Sequence, residues 1–344
     1  MHFASVIALL SALGTVSASP RHGIRSQCVG RATASTHPFE GRKLYANPEW
    51  AQKLEITHKS FLNKGDTTNA GKVRTIQNIG TFVWVSNTAM LADIDTAIKG
   101  ARAAQAKTGQ KQTVGLVLYN LPDRDCSAGE SAGESSVDKN GLQLYKDTFI
   151  KPYTEKLAAA TDLHFAVILE RDALANAVMS TVVGNVRLSR KPLADCDQCR
   201  TSRSVPRPRR RTRMVSLMPS QACMQYDHVS LYIGAANGGW LGWDSNLGPA
   251  AEEFSKVVKV AGKNAMIRGF STNVSNYNPL FANQPLSYAR GSKSYDESHY
   301  ALSLAPHLEA NSLPSQFIID QGRISYSRKD WGEWCNVSPA GFGM

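Results

Sequence analysis

Short, continuously apolar segments alternate with amphipathic helical segments along most of this chain, and this alternation restricts the fold more than any other feature. Strands that are apolar along their whole length are typical of a parallel sheet covered on both faces. The number of repeats favours an α/β fold closed into a parallel barrel over an open sheet, although periodicity alone does not separate the two. The predicted strands are 81–85, 113–121, 164–170, 228–235, 266–272 and 316–320, and the predicted helices are 90–107, 144–160, 250–261 and 295–308.

The helical spacing predicts which side chains face the sheet. In segment 90–107 the apolar face carries Leu91, Ile94 and Ile98, and Gly109 is a stop signal. In segment 144–160 the inward side chains are predicted to be Tyr145, Phe149, Tyr153 and Leu157.

The N-terminus has the pattern of a secretory signal peptide. An apolar run over 6–13 is followed by the small residues Val16, Ser17 and Ala18, and the run is too short to span a membrane. The predicted organisation is a signal peptide at 1–18, a short polar segment at 19–37 and one folded domain at 38–344. Export implies an oxidising compartment, in which the six cysteines could pair. Sequons at 273–275 and 336–338 fit export, but such triplets also occur by chance.

The segment 187–225 interrupts the pattern and carries most of the net positive charge. Between Arg187 and Arg213 the local net charge is +8, in a chain whose total is +11. The segment has no helical or strand period. A disordered insertion or a mis-spliced or frame-shifted gene is favoured over a nucleic-acid-binding patch, because aromatic side chains for base stacking are absent until Tyr226.

Polar and aromatic side chains follow the predicted strands at their carboxyl ends, where parallel barrels place their chemistry. A single polar cluster of this kind is usually a solvated loop. A cluster at the carboxyl end of each successive strand indicates an active or binding site. These positions are Trp84, the segment 119–126, Arg171, Asp172, Asn237, Trp240, Trp243, the segment 273–278 and the segment 320–323.

Two of these residues, Asp125 and Asp172, are candidates for the carboxyl pair that acetal hydrolysis normally needs. Each has an ordinary structural interpretation as well. Asp172 could simply cap the helix that follows it, and Asp125 could be a salt-bridged loop residue.

The tryptophans favour the functional interpretation. Sugar rings stack on flat aromatic side chains, and GGWLGW places two Trp residues three apart on a glycine-rich turn, where burying both would be awkward. An aromatic groove for a linear glucan therefore explains Trp84, Trp240, Trp243, Trp331 and Trp334 better than core packing does.

Several motifs, in this order, resemble successive signatures of fungal-type glycoside hydrolase family 6. They are LYNLPDRDCSAGESAGE, ILERDALAN, GGWLGW, STNVSNYN, IDQGR and WGEWCNV. The resemblance implies a distorted, incomplete parallel β/α barrel of about seven strands, and hydrolysis of β-1,4-glucan with inversion. It also implies that the domain at 38–344 is catalytic, with 187–225 as an irregular basic insertion.

The resemblance also implies roles for individual residues. Asp172 stands at the position of the general acid, and Asp125 at that of the second Asp, which tunes the acid and helps to stabilise the cationic transition state. Tyr119 matches a residue that favours ring distortion, and Ser131 one that positions the water. The implied sugar platforms are Trp84, Trp240, Trp243 and Trp334, and Asn273 and Arg323 lie on motifs that line the groove.

The sequence departs from the family pattern at several positions. Gly234 replaces a usual Asp, Asn237 a frequent His and Arg171 a frequent Pro. The chain stops at GFGM, where the family continues with a final strand, the proposed catalytic base and a cysteine partner for Cys335. In the family, the Cys at the position of Cys126 pairs with a Cys shortly after the acid motif, and the candidates to replace that partner here are Cys196 and Cys199. We therefore expect low stability and little or no cellulase activity from this chain.

The predicted function is that of a secreted cellobiohydrolase-like glucanase acting on cellulose as a monomer. No cofactor, metal, nucleic acid or membrane partner is expected. One alternative is a glucan-binding remnant of the same family that has lost its catalytic base. A basic nucleic-acid-binding protein is a further alternative, but it rests only on the segment 187–213.

Overall fold

The structure is a computed structural model and describes residues 37–124, 133–175, 178, 226–261, 267–323 and 341–343. The described strands form one seven-stranded sheet in which neighbouring strands are parallel. They are β1 (Lys43–Leu44), β2 (Val83–Val85), β3 (Gln112–Leu118), β4 (His164–Leu169), β5 (Val229–Gly234), β6 (Ile267–Thr272) and β7 (Phe317–Ile319).

From β3 to β7 the strands pair in sequence order, and the other end of the sheet is less regular. Both β1 and β2 pair with β3, β1 at its beginning and β2 at its end, with Trp84 opposite Val117. Because β4 occupies the other edge of β3, β1 and β2 lie one after the other along the same edge. No ladder joins β7 to β1 or β2 within the described ranges, so the part of the sheet that the structure describes is open there.

The two faces of the sheet bury different clusters. On the outer face, side chains such as Leu116 and Leu118 pack with the helices in a large apolar cluster. The inner face gathers Val117, Tyr119, Ala166, Ile168, Tyr232 and Val274. Both Trp84 of β2 and Ile318 of β7 pack against this inner cluster, which requires the sheet to curl. The prediction of a distorted, incomplete parallel β/α barrel is confirmed.

The described helices are α1 (Pro48–Asn63), α2 (Thr67–Ile76), α3 (Leu91–Thr108), α4 (Gly141–Leu144) with a π-helical continuation (Tyr145–Ile150), α5 (Lys151–Ala158), α6 (Gly238–Leu241), α7 (Asp244–Ala261) and α8 (Glu297–Ala310). Of these, α3, α5, α7 and α8 pack in apolar clusters with side chains of the strands. As predicted, α3 ends at Gly109, whose φ of 68° lies in the left-handed region that glycine adopts without strain. The predicted inward side chains of segment 144–160 are buried.

Some boundaries differ from the sequence-based prediction. The strand expected over 113–121 ends at Leu118, because the backbone N–H of Asn120 donates to the Glu170 carboxylate instead of continuing a ladder. The helix expected over 250–261 begins earlier, at Asp244, and contains Pro249. Helices α1 and α2 were not predicted, although Asn47 and Asp66 cap them with their side chains.

Several expectations concern residues outside the described ranges. These are the signal peptide 1–18, nearly all of the polar segment 19–37, the basic segment 187–225, and all six cysteines. Among the helices that the structure does describe, none combines the length and apolar character needed to cross a membrane.

Candidate active site

Trp84 and Tyr119 form the aromatic centre of the carboxyl end of the sheet. Trp84 lies in β2 and Tyr119 follows β3, and the Tyr119 N–H donates to Val85 O at 3.1 Å. Their ring centroids are 5.6 Å apart and the planes meet at 89°, an edge-to-face contact. Tyr119 is buried, whereas Trp84 keeps part of its surface exposed. The two residues selected from the sequence as a sugar platform and a ring-distorting group are therefore neighbours.

Asp172 lies at the carboxyl end of β4, directly before the helical residues 173–175. Its Oδ2 is 3.1 Å from Nη2 of Arg171, and the two side chains are 21% and 20% exposed. The position before a helix is the one expected for a capping Asp. Because the Asp172 side chain is partly exposed, its carboxyl group is accessible to a substrate oxygen, as a proton donor must be.

Arg171 connects this carboxylate to the next part of the site. Its Nη1 donates to Val274 O at 2.7 Å and to Ser275 Oγ at 2.8 Å. Its Cζ lies 5.4 Å from the ring centroids of both Trp84 and Tyr119, within the range of cation–π contacts. In the sequence Arg171 was one of the polar positions that follow the strands and a departure from the family pattern, but no individual role was predicted for it.

A second arginine, Arg124, supports Tyr119. Its Cζ is 4.3 Å from the Tyr119 ring centroid, and its Nη1 donates to Ser86 O at 3.0 Å and to Tyr119 O. Arg124 directly precedes the segment that carries Asp125 and Ser131. Both of those candidates lie outside the described residues, as does Trp334.

Glu170, which directly follows β4, is a buried carboxyl group that was not selected as a candidate from the sequence. Its Oε1 accepts hydrogen bonds from the Asn120 N–H at 3.0 Å and the Tyr145 hydroxyl at 2.9 Å. Burial raises the pKa of Glu170 to about 7. The residue ties the loop after β3 to the end of β4. Its sequence signal was an acidic residue that directly follows an apolar strand.

Asn273 organises the loop after β6 from inside the protein. It is fully buried at φ 60°, and its Nδ2 donates to Asn278 O and Asp320 O, both at 2.9 Å. Its Oδ1 accepts the Asn278 N–H at 3.1 Å. The amide nitrogen is thus enclosed, so this sequon does not present an accessible acceptor for a glycan in the folded protein.

A second buried glutamate, Glu297 at the start of α8, joins the loops after β5 and β6. Its Oε1 accepts from the Gly238 N–H and from Asn278 Nδ2, both at 2.9 Å, and the same Nδ2 is 3.0 Å from Asn237 Oδ1. Burial raises the pKa of Glu297 to about 7. No motif in the sequence pointed to this residue.

Trp240 and Trp243 lie on and just after the short helix α6. A Cβ at Gly238 would lie 2.7 Å from Ser294 O, and one at Gly242 would lie 2.5 Å from Ser294 Cβ, so the turn packs closely because both residues are glycines. Trp240 packs partly against the apolar cluster under α7 and α8, and the Trp243 indole N–H donates to Gly239 O at 3.2 Å. Both indoles stay partly exposed.

Arg323 follows β7 and is placed by Tyr277. Its Nη1 is 3.3 Å from the Tyr277 hydroxyl, and its Cζ is 4.5 Å from that ring centroid. Nearby, Asp320 Oδ2 accepts the Ser275 N–H at 2.8 Å, which links the loops after β6 and β7. Arg323 is thereby held at the same end of the sheet as the other candidates.

Gly234, at the end of β5, has no room for a side chain. A Cβ there would lie 2.3 Å from the Arg171 Cα and 2.5 Å from its carbonyl oxygen. The replacement of the usual Asp by Gly and the conformation of Arg171 are therefore sterically linked. Among the described residues no group of three His, Cys, Asp or Glu side chains is arranged to hold a metal.

Comparison with known proteins places this arrangement in a family. The family model described as "Glycosyl hydrolases family 6" matches residues 39–344. The chain is 52% identical to "1,4-beta-D-glucan cellobiohydrolase CEL6B" of Podospora anserina, over 90% of this chain and 70% of that protein. It is 48% identical to "Endoglucanase-6B" of Humicola insolens, over 90% of this chain and 84% of that protein.

Solved structures agree. The structure of "Endoglucanase CEL6B from Humicola insolens" superposes with a TM-score of 0.75 at 48% identity, covering 89% of this chain and 84% of that one. The family 6 enzyme CcCel6C from Coprinopsis cinerea gives a TM-score of 0.77 at 38% identity, covering 89% of this chain and 79% of that one.

Proposed function

This chain belongs to glycosyl hydrolase family 6, and we propose that it hydrolyses the β-1,4-glucosidic bonds of cellulose with inversion at the anomeric carbon. It is a glycoside hydrolase of the cellulase type. The observation that carries the proposal is the cluster of Trp84, Tyr119 and Asp172 at the carboxyl ends of neighbouring parallel strands, in a chain about half identical to a cellobiohydrolase and an endoglucanase.

In the proposed reaction Asp172 protonates the glycosidic oxygen as the bond from the anomeric carbon to that oxygen breaks. A water molecule attacks the anomeric carbon from the opposite face, and its proton passes to the solvent, because no residue of this sequence is assigned to the catalytic base. An inverting enzyme keeps its acid and base roughly 6.5–9.5 Å apart to admit this water. We assign Asp125 to the support of the acid and of the cationic transition state, and Ser131 to holding the water.

The remaining candidates bind the sugar chain. Trp84, Trp240, Trp243 and Trp334 are proposed as stacking platforms, and Arg323 as a hydrogen-bond donor to sugar hydroxyls. Tyr119 favours a distorted ring at the cleavage position. Asn273, whose amide is bonded inside the protein, acts by shaping the loop after β6.

The cellular setting is also part of the proposal. The N-terminal pattern over residues 1–18 supports secretion, and a secreted protein would meet its insoluble substrate directly. We further propose that the domain at 38–344 acts as a monomer, that its cysteines form disulfides after export, and that neither nucleic acid nor a membrane is its partner.

The test is to follow the anomeric configuration of the first products. The full chain is incubated with cellohexaose, and the new reducing ends are observed by proton NMR before they mutarotate. We expect the α-anomer to appear first. Products that form first as the β-anomer would contradict inversion.

A variant pair separates this proposal from a glucan-binding remnant. Asp172→Asn should lose hydrolysis while still binding cellohexaose, as measured by tryptophan fluorescence. The matched control, Asp162→Asn, alters an Asp paired with Arg102 at the opposite end of β4 and should keep activity. Binding without any hydrolysis by the unaltered chain would support the remnant instead, and would agree with the low activity that the departures from the family pattern predict.

A further inference from the structure

Arg171 is held in one position by contacts on several sides. Its Nη1 binds Val274 O and Ser275 Oγ, at 2.7 and 2.8 Å, and its guanidinium lies against the rings of Trp84 and Tyr119. A side chain with so many fixed neighbours has little freedom to leave. Its Nη2, 3.1 Å from Asp172 Oδ2, therefore keeps a positive charge beside the carboxylate.

The backbone of Arg171 is fixed as well. The end of β5 approaches it so closely that a Cβ on Gly234 would lie 2.3 Å from the Arg171 Cα. The loop after β6 is anchored in turn, because the Ser275 N–H donates to Asp320 Oδ2 at 2.8 Å. Arg171 thus connects the ends of β4, β5 and β6 beside the acid, β5 through its backbone and β6 through its guanidinium.

Other charged groups around this point are engaged with different partners. Arg124 lies against Tyr119 and donates to Ser86 O. Glu170 directs its Oε1 to the Asn120 N–H and the Tyr145 hydroxyl, and Asp320 accepts the backbone N–H groups of Ser275 and Gly322. The candidate Asp125 lies outside the described residues. Among the described residues, Arg171 is a cation in contact with the Asp172 carboxylate.

We propose that Arg171 is a positioning residue for the acid, which fixes the Asp172 carboxylate and sets the pH range in which Asp172 can donate its proton. This rests on the proposed role of Asp172. An opposite charge within hydrogen-bond distance favours the ionised form of a carboxyl group. The guanidinium therefore restricts proton donation by Asp172 to more acidic conditions. It also fixes the orientation of the Asp172 carboxylate.

The direct test is a carbon NMR titration of the full chain labelled at its aspartate carboxyl carbons. The Asp172 resonance is identified by its absence in Asp172→Asn. In Arg171→Met we expect its titration midpoint to rise by about one pH unit or more. Arg171→Lys keeps a positive charge and should shift less. Arg171→Gln keeps amide donors without the charge, so it replaces Arg171→Met if that variant does not fold.

The matched control is Arg102→Met. It removes the same charge from another arginine–carboxylate pair, in which Arg102 Nη2 is 2.6 Å from Asp162 Oδ1, at the opposite end of β4. It should leave the Asp172 midpoint unchanged. An unchanged midpoint in a folded, uncharged Arg171 variant would overturn the proposal, and so would an equal shift in Arg102→Met.

Kinetics then distinguish this inference from the proposed function. The alkaline limb of the kcat/KM profile on cellohexaose should move upward in Arg171→Met by the same interval as the NMR midpoint. The NMR midpoint of Asp172 could move in Arg171→Met while neither the unaltered chain nor this variant hydrolyses cellohexaose at any pH. In that case Arg171 still sets the ionisation of Asp172, and it is the proposed function that fails.

Discussion

At the scale of single residues, two carboxyl groups two positions apart illustrate what an acid catalyst requires. Burial raises the pKa of Glu170 to about 7, which would suit a proton donor near neutral pH. Glu170 is nevertheless only 1% exposed, and its Oε1 is bonded to Asn120 and Tyr145. Asp172 is 21% exposed. Access to the substrate therefore favours Asp172, and Glu170 serves to hold the adjacent loop.

The proposed role of Asp172 as the general acid leads to a prediction that depends on the leaving group. In Asp172→Asn, hydrolysis of cello-oligosaccharides should fall by about 10²–10⁴-fold, the usual contribution of general acid catalysis. An aryl cellobioside with a good leaving group needs less protonation and should lose less. Initial rates on the two substrates check this, and equal losses would place the acid at another residue.

At the scale of elements, the site depends on how closely the strand ends approach one another. The end of β5 passes the backbone of Arg171 at a distance that only glycine allows at Gly234. The loops after β5 and β6 are joined through Glu297, which accepts hydrogen bonds from Gly238 and Asn278. These contacts explain why the site residues stay in place although most of them lie on loops.

The close approach at Gly234 predicts opposite effects for two glycine substitutions. Gly234→Ala should lower the free energy of unfolding by roughly 1–3 kcal/mol or more, as overpacking does in a core. Gly71→Ala is the matched control. Gly71 lies inside α2 with open space around the added Cβ, so alanine should stabilise by about 0.5–1 kcal/mol. Urea unfolding measures both, and a neutral Gly234→Ala would refute the close packing of β5 against Arg171.

At the scale of the whole molecule, the two buried glutamates make the stability of the fold depend on pH. Burial raises the pKa of Glu170 and of Glu297 from 4.5 to about 7. The folded chain therefore binds these protons more tightly than the unfolded chain does. The contribution of each group to the free energy of unfolding is unreduced below about pH 4.5 and falls as the pH rises through about 7.

This linkage predicts the behaviour of Glu297→Gln. Between pH 4 and pH 8 the stability of the variant, relative to the unaltered chain, should rise by on the order of 3 kcal/mol. The difference between the two proteins is the quantity to measure, because His37 and His164, whose pKa values burial lowers, titrate in the same window with the opposite sign. A difference that does not change with pH would show that Glu297 is not a buried carboxyl with a raised pKa.

The N-terminal sequence also predicts how the protein is processed on export. If residues 1–18 are a signal peptide, the exported protein should begin at or near Ser19, because Val16, Ser17 and Ala18 follow the apolar run. N-terminal sequencing of protein recovered from the culture medium checks this. Exported protein that still begins with Met1 and His2 would contradict it.

The sequence by itself determined the fold class and the family. A parallel sheet that is buried on both faces produces a local sequence pattern of continuously apolar strands between amphipathic helices. Each of the six strands predicted from this pattern overlaps a strand of the structure. The end of α3 could also be predicted from the local sequence, because the helix ends at Gly109 and glycine adopts the required left-handed conformation without help from distant residues. The ordered motifs around Tyr119, Asp172 and Trp240 were sufficient to indicate the family that the comparisons then showed.

Only the tertiary structure decided how these motifs meet. Arg171 reaches Val274 and Ser275 across 103 and 104 residues of sequence, and Glu297 binds Gly238 across 59. Such contacts leave no periodicity in the chain, because they depend on the curl of the sheet and not on neighbouring residues. For the same reason, Asp172 was visible as a candidate in the sequence, whereas the arginine that holds it became recognisable only once β4, β5 and β6 lay side by side.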